Sequence, residues 1–478
     1  MKRPPMKPTA VLVGLFTALA LGLRVAGAWH MSYWVDDLGT LAQARRIDSL
    51  AAALVATKDW HPPLSFLFAK AWLLLSGLSG KPGEELALRA PFLVLGALSV
   101  PLAFLVARRM LERGALAVAF AVSVNPLLVW SDRDIRGYAL LVPLALAATL
   151  FWLRAADAGK ERLAWRDHAL FVLFAALACW DHYNAIPFMA ALLALDFLEG
   201  RRSASILSGL AVLALFAPWL PAMKEHLETI PFGKHEEHVQ LALKPVALTA
   251  PCYVLFGMVL GYTVFPWNLP VVIPAALASL VLVFQGLVGA RGLRERRAAL
   301  LGLLLPVAGA AATSFKMPRY HVASVPFLLV FLARGAARTT QGPRIFAVVV
   351  AAMMFSDVEL LRGREHHFLF PLHPWREAEA VVRARPARVE GPPGPFTWVY
   401  AADLAVAPVG SSCWLLVDEQ TTEEDERRER AGLEEEGLHA TGEDLPLLVD
   451  PDHEARARFV QRGTREKVVR LVRFEAIK

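Results

Sequence analysis

Residues 9–28 form an apolar stretch of transmembrane length, and stretches like it recur as far as residue 358. A helix needs about 20 such residues to cross the hydrocarbon of a bilayer. Backbone at that depth has no water to bond, so it must satisfy its own donors and acceptors, and the pattern points to an all-α polytopic bundle. The composition agrees, with 56% hydrophobic and only 20% charged residues and a mean hydropathy of +0.43. This is the profile of a polytopic membrane protein and not of a soluble enzyme.

Charge orients the bundle. Residues 1–358 carry 33 Lys and Arg against 21 Asp and Glu, whereas residues 359–478 carry 17 against 23. The basic excess sits in loops between apolar spans, where the positive-inside bias predicts it, so it does not call for a nucleic-acid partner. Lys2, Arg3 and Lys7 put the N-terminus in the cytoplasm, and the many later spans favour a retained anchor over a cleaved signal peptide. The run at 64–78 is short and carries Lys70 in its middle, which suits an outer interfacial or re-entrant helix. With that run outside, "RRMLER", "LRAADAGKERLAWR" (153–166), "EGRR" (199–202), "ARGLRERR" (290–297) and "RGAARTTQGPR" (334–344) all become cytoplasmic. The same reasoning keeps 248–266 from crossing, and its prolines at 251 and 266 suit a broken surface helix. Eleven spans are expected, near 9–28, 90–109, 115–131, 138–155, 168–182, 186–199, 204–222, 270–289, 298–314, 321–334 and 344–358, with the N-terminus inside and the C-terminus outside.

From about residue 360 the apolar runs shorten to "FTWVYAADLAVAPVG" and "CWLLVD". These read as short buried strands alternating with polar helices such as "HPWREAEAVVRAR". The expected organisation is a membrane domain over 1–358 and a small extracytoplasmic α/β domain over 359–478. Within the latter, the charged run 419–436 reads as a solvated helix or flexible insert. Cys179, Cys252 and Cys413 offer neither a disulfide framework nor a zinc site.

This topology gathers every other strongly polar cluster on the outer face: Asp36 and Asp37, "KDWHPPL" (58–64), "SDRDIRGY" (131–138), "WDHYN" (180–184), "KEHLETIPFGKHEEH" (224–238) and "FKMPRY" (315–320). Ionisable groups held beside lipid are costly, which makes such a layer a candidate site. Singly, each cluster has an ordinary reading. Asp36 and Asp37 suit a loop, Pro62 and Pro63 a helix-opening turn, 131–138 a solvated hairpin, and 180–184 an aromatic belt. His182 with His235, Glu236, Glu237 and His238 invites a metal reading, but Pro231 and Gly233 make that segment a loop.

In combination and order the clusters are more specific. "WVDD", then "DWHPPLSFLFAKAWLLLSG", "LALRAPFLVLGALSVPLAFLVARRM", "SDRDIRGYAL", "WDHYNAIPF" and "PRYHVASVPFLLVFLARG" resemble bacterial membrane glycosyltransferases of the dolichyl-phosphate-mannose protein mannosyltransferase type. These belong to the C-type glycosyltransferase superfamily, which also holds the lipid A aminoarabinose transferases. The resemblance covers roughly 9–335 and is strongest over 34–200. It implies a first acidic residue at Asp36 and a second at Asp37, where Glu is commoner in the family. The "HPPL" of the family matches outright from His61. Asp134, Arg136 and Tyr138 stand where the family shows Glu, Arg and Tyr, and Arg319 and Tyr320 fit its late "RY".

What the resemblance implies is inverting transfer of a sugar from a polyprenyl-phosphate carrier to a lipid, glycan or protein acceptor at the outer face of a bacterial cytoplasmic membrane. The residue types suit that chemistry. A carboxylate serves as base for an acceptor hydroxyl, which makes Asp36 and Asp134 the catalytic candidates. Fixed cations meet the developing phosphate charge, which selects Arg136 and Arg319, with Arg133 second. Lys58, His61, Tyr138 and Tyr320 join them as donor or phosphate contacts. Asp37, His182 and Tyr183 are expected to orient the loop or the acceptor. No cofactor is expected and no metal ligand is assigned, although a divalent cation is compatible with the site. The rival is a transporter or flippase, against which stand the lack of a repeat and of an ionisable pair near the middle of any span.

Overall fold

The computed structural model describes residues 6–29, 31–49, 53, 61–158, 164–229, 249–288, 297–312, 317–364, 375–390, 400, 412–417, 423–449 and 468–476. Its first part is helical: α1 (Met6–Ala28), α2 (Val35–Arg46), α3 (Leu64–Ser76), α4 (Glu85–Met110), α5 (Ala115–Ser123), α6 (Pro126–Ser131), α7 (Tyr138–Ala158), α8 (Ala164–Asp181), α9 (Ala185–Leu198) and α10 (Arg202–Phe216). A 3-10 turn (Ala217–Trp219) leads into α11 (Leu220–Thr229), followed by α12 (Thr249–Leu260) and α13 (Leu269–Val288). A π-turn (Leu300–Leu304) opens α14 (Leu305–Ala312), a 3-10 turn (Pro318–Ser324) opens α15 (Val325–Ala336), and α16 (Gly342–Leu361) completes the bundle.

Among the described residues, five helices are able by length and composition to cross a membrane: α1, α4, α7, the continuous Arg202–Glu225 and α13. These match five of the expected spans; the rest are shorter, interrupted or more polar. The expected span at 115–131 breaks where the Asn125 side chain accepts from Leu128 N at 3.1 Å and Pro126 opens α6. The one at 321–334 gives the 12-residue α15, in which every residue from Val325 to Ala333 is buried. Ringed by other helices, α15 is apolar from Val325 to Ala333 because that stretch meets neither lipid nor water. In α13, by contrast, Leu269, Ile273, Leu277, Leu280, Phe284 and Leu287 are exposed along one stripe, as a lipid-facing helix requires.

The two doubtful apolar runs resolve differently. α3 is 13 residues long and stops at Gly77, whose φ of 69° ends the helix in a left-handed cap. α12 is 12 residues, about 18 Å at the α-helical rise, so it is too short to cross. The expectation of a surface helix there is corrected, because Tyr253, Val254, Met258, Val259 and Leu260 are buried. A helix without a polar face has nothing to offer water, and Asn125 Nδ2 ties it inward through Met258 O at 2.9 Å.

The C-terminal part is α/β. It comprises α17 (Trp375–Ala384), β1 (Arg388–Glu390), β2 (Ser412–Val417), α18 (Glu423–Glu435), β3 (Leu438–Val449) and β4 (Val468–Ala476). The sheet order is β1-β2-β4-β3, with β1 parallel to β2 and the other pairs antiparallel. β2 is apolar throughout because both faces of the sheet are covered. Cys413, Leu415 and Val417 pack with Leu433 of α18, while Trp414 and Leu416 join a second core with Trp375 and Val382 of α17. That second core continues into Tyr33, Leu38 and Leu41, then Leu88 and Phe92 of α4, so the sheet is seated on α2, the segment before it and the start of α4. Most of "FTWVYAADLAVAPVG" lies outside the described residues.

One close approach tests the bundle's packing. A Cβ on Gly335 of α15 would overlap the Leu282 carbonyl of α13, where neither backbone has room to give. Gly335→Ala is expected to destabilise the protein by about 1–3 kcal/mol, seen as a lower melting temperature in detergent.

Candidate active site

Asp36 and Asp37 stand in the first turn of α2, where the helix N-terminus favours carboxylates. Being adjacent on a helix, they point in different directions and meet different partners. Asp37 is fully buried and forms an ion pair with Arg89 of α4. Its Oδ1 also accepts from Ile135 N at 2.8 Å. The Arg89 guanidinium extends to the Met31 and Ser32 carbonyls, each at 2.8 Å. Asp37 thereby joins the segment before α2, the start of α4 and the turn between α6 and α7.

The Asp36 side chain is 21% exposed and meets Arg136 Nη2 at 2.8 Å. Arg319 Nη1 lies 3.8 Å from its other oxygen. Burial pushes the Asp36 pKa up, but Arg136, Arg319 and His61 outweigh it and hold the carboxyl below the usual aspartate value. Asp134 is 1% exposed, and its Oδ2 has no hydrogen-bond partner among the described residues. Burial, and then the Asp37 and Asp36 charges, push its pKa well above the usual value against the pull of Arg133 and Arg89. Of these two carboxyls, Asp36 is held in the ionised form and Asp134 is biased towards the acid.

Arg319 comes from the 3-10 turn before α15 and is 8% exposed. Its backbone N–H donates to the Tyr262 hydroxyl at 3.0 Å, and its guanidinium lies over the Tyr320 ring, 5.5 Å from the centroid. Its Nε and Nη1 have no hydrogen-bond acceptor among the described residues. The rings of His61, His182 and Tyr138 form a chain, with centroids 4.9 Å and 5.1 Å apart. His182 Nδ1 accepts from Asn184 N at 3.1 Å. Five separate sequence clusters thus meet around Asp36.

Other expected participants lie elsewhere. Tyr183 accepts a 2.9 Å hydrogen bond from Trp219 and joins the packing of the α8 and α10 ends. Arg133 is committed to the C-terminal end of α1, donating to Gly27 O at 3.1 Å. Lys58 and the 235–238 segment lie outside the described residues. Among the described residues, no three His, Cys, Asp or Glu converge as ligands for a cation.

Three partners were missed in the sequence. Arg89 could have been found as a lone cation in the apolar "LALRAPFLV". Tyr262 carried no signal beyond its place in an apolar run. Arg24, near the end of α1, forms a buried ion pair with Asp132 at 2.8 Å. Its position in a span was visible, but its partner 108 residues away was not.

The two buried acids should respond oppositely to neutralisation. Asp37→Asn leaves Arg89 buried without its counter-charge, and is expected to cost about 3–5 kcal/mol. Asp134 has a raised folded-state pKa, so the folded protein binds the proton more tightly and loses stability as pH climbs above the ordinary carboxyl range. Asp134→Asn is therefore expected to leave stability at pH 7 unchanged or higher, and melting curves of the two variants check both signs.

A family model described as dolichyl-phosphate-mannose-protein mannosyltransferase matches residues 60–221. No curated protein matches the sequence. Among solved structures, ArnT from Cupriavidus metallidurans in the apo state is similar over 97% of this chain and 98% of that one, at 13% identity and a TM-score of 0.57. The same protein bound to undecaprenyl phosphate is similar over 96% and 97%, again at 13% identity, with a TM-score of 0.53. The Archaeoglobus fulgidus oligosaccharyltransferase in its apo form is similar over 86% of this chain and 70% of its own, at 11% identity and a TM-score of 0.52. The family model thus matches about a third of the chain, and the fold is shared with these solved structures along nearly its whole length.

Proposed function

We propose that this protein transfers a sugar from a polyprenyl-phosphate carrier to an acceptor hydroxyl at the outer face of a bacterial cytoplasmic membrane, with inversion. The observation that carries this reading is Arg319. A buried guanidinium with two unfilled donors beside an ionised carboxylate suits an anion and an attacking hydroxyl together. Support comes from the C. metallidurans relative, whose structure was solved with undecaprenyl phosphate bound.

In this mechanism Asp36 accepts the proton of the acceptor hydroxyl as its oxygen attacks the anomeric carbon. The bond from that carbon to the phosphate oxygen breaks, and its electron pair leaves with the polyprenyl phosphate. Displacement from the opposite face inverts the configuration. Arg319 and Arg136 meet the charge that gathers on the leaving phosphate. His61, Tyr138, Tyr320 and Lys58 are assigned to the donor, and His182 to the acceptor side with Asp37 behind it. The membrane domain spans 1–358, and the outer α/β domain spans 359–478.

With a radiolabelled polyprenyl-phosphate sugar and purified protein, release of polyprenyl phosphate is expected to fall about 10²–10⁴-fold in Asp36→Asn. Undiminished turnover in that variant would sink the assignment of Asp36 as the base, whereas no release of polyprenyl phosphate by the native protein would favour a transporter that kept the fold. The depressed Asp36 pKa puts the acid limb of kcat/KM below the ordinary aspartate range. Arg136→Ala removes a cation that holds it there, and should move that limb to higher pH. Sidedness has its own check in a Cys252→Ser background. Lys81→Cys should react with an impermeant thiol reagent on intact cells and Arg338→Cys only after lysis; the reverse pattern would put the site in the cytoplasm.

A further inference from the structure

The C-terminal part meets the membrane helices at a buried polar joint. Tyr400 is fully buried, donates its hydroxyl proton to Glu85 Oε1 at 2.7 Å, and accepts from the Tyr33 backbone N–H at 2.9 Å. Glu85, also fully buried, receives Arg376 of α17 through Nε at 3.1 Å and Nη2 at 2.7 Å. Arg383 of the same helix donates to the Tyr400 carbonyl at 3.2 Å. Glu85 and Arg89 are four residues apart on α4 and share a face. Arg89 grips the Met31 and Ser32 carbonyls and the Asp37 carboxylate, while Glu85, through Tyr400, grips the amide of Tyr33. The segment is also held by the Ile135 amide on Asp37 at 2.8 Å, by the Met31 amide on Ala28 O at 3.1 Å, by the Tyr33 hydroxyl on Lys81 O at 3.4 Å and internally by the Trp34 amide on Asp37 Oδ2 at 3.4 Å. Asp36 is the carboxylate left facing the two arginines.

We propose that Tyr400, Glu85 and Arg376 are positioning residues, a latch by which the C-terminal domain sets the aim of Asp36. This rests on the reading of Asp36 as the base. The physical ground is that a base displaced by about 1 Å loses on the order of 10²-fold in rate. Among the described residues, Tyr400 is the hydrogen-bond acceptor of the Tyr33 amide, and both residues are buried away from water. The residue touches neither Arg136 nor Arg319 in any described hydrogen bond, so it acts on catalysis through residues 31–37.

Tyr400→Phe removes one hydroxyl and keeps the ring against Tyr33. In hydrogen–deuterium exchange of the full-length protein, amides of 31–37 should exchange faster, with α13 and α15 unchanged. In the carrier assay, kcat should fall about 10–100-fold while KM for the carrier stays within about twofold. Glu85→Gln keeps an acceptor for Tyr400 but weakens the hold of Arg376, and should fall between Tyr400→Phe and the native protein. Unchanged exchange over 31–37 would overturn the latch. Faster exchange with native kcat, or faster exchange throughout the protein, would overturn it as a positioning device. If the native protein releases no polyprenyl phosphate from any carrier offered, the reading of Asp36 as a base fails, and the exchange result still decides whether Tyr400 orders the segment.

Discussion

The ion pair between Arg89 and Asp37 is the constraint on which the surroundings of α2 and of the candidate site depend. Both side chains are fully buried, and Arg89 divides its donors between a carboxylate and two backbone carbonyls. A buried charge pair contributes little net stability over an apolar pair, but breaking one partner leaves an uncompensated charge. Its value is therefore geometric: it admits one arrangement of the 31–37 segment, α4 and the 134–137 turn. Because Asp37 also accepts from the Ile135 amide, the turn that carries Arg136 is placed by the same carboxylate that fixes α2.

Asp36 gains its character from this arrangement. One residue along the same helical turn, it points where Asp37 does not, and meets arginines delivered by two distant segments. Two neighbouring aspartates thus become a fixed strut and a partly exposed carboxylate, and the distinction rests on direction along a helix, not on residue type.

Much of this was legible in the residues. Long apolar runs specify helices; "CWLLVD" marked a short buried strand, and the run after residue 419 a solvated helix or flexible insert, of which the structure shows the helix. The polar clusters named Asp36, Asp134, Arg136, His61 and Arg319 together, because each interrupts an apolar pattern at a membrane boundary. What escaped was pairing at a distance. Nothing local tells that Arg24 meets Asp132, that Tyr262 supports Arg319, or that Tyr400 reaches Tyr33 across 367 residues. The span count suffered for a related reason. In a bundle where helices such as α15 are enclosed by others, segments need not reach the full bilayer thickness, so hydropathy alone overstates their lengths.

On the proposed function, with Asp36 as the base, the site contains its own sequence of charge. Without donor, Arg136 and Arg319 are turned on Asp36 and depress its basicity. A phosphate diester offered to the unfilled donors of Arg319 competes for the same guanidinium groups, since a bidentate or charge-assisted contact to phosphate is at least as strong as one to a carboxylate. As positive charge is drawn to the phosphate, the carboxyl of Asp36 regains proton affinity, because the cations that lowered it are now shared. The base is then strongest when the leaving group is in place and weakest when the site is empty.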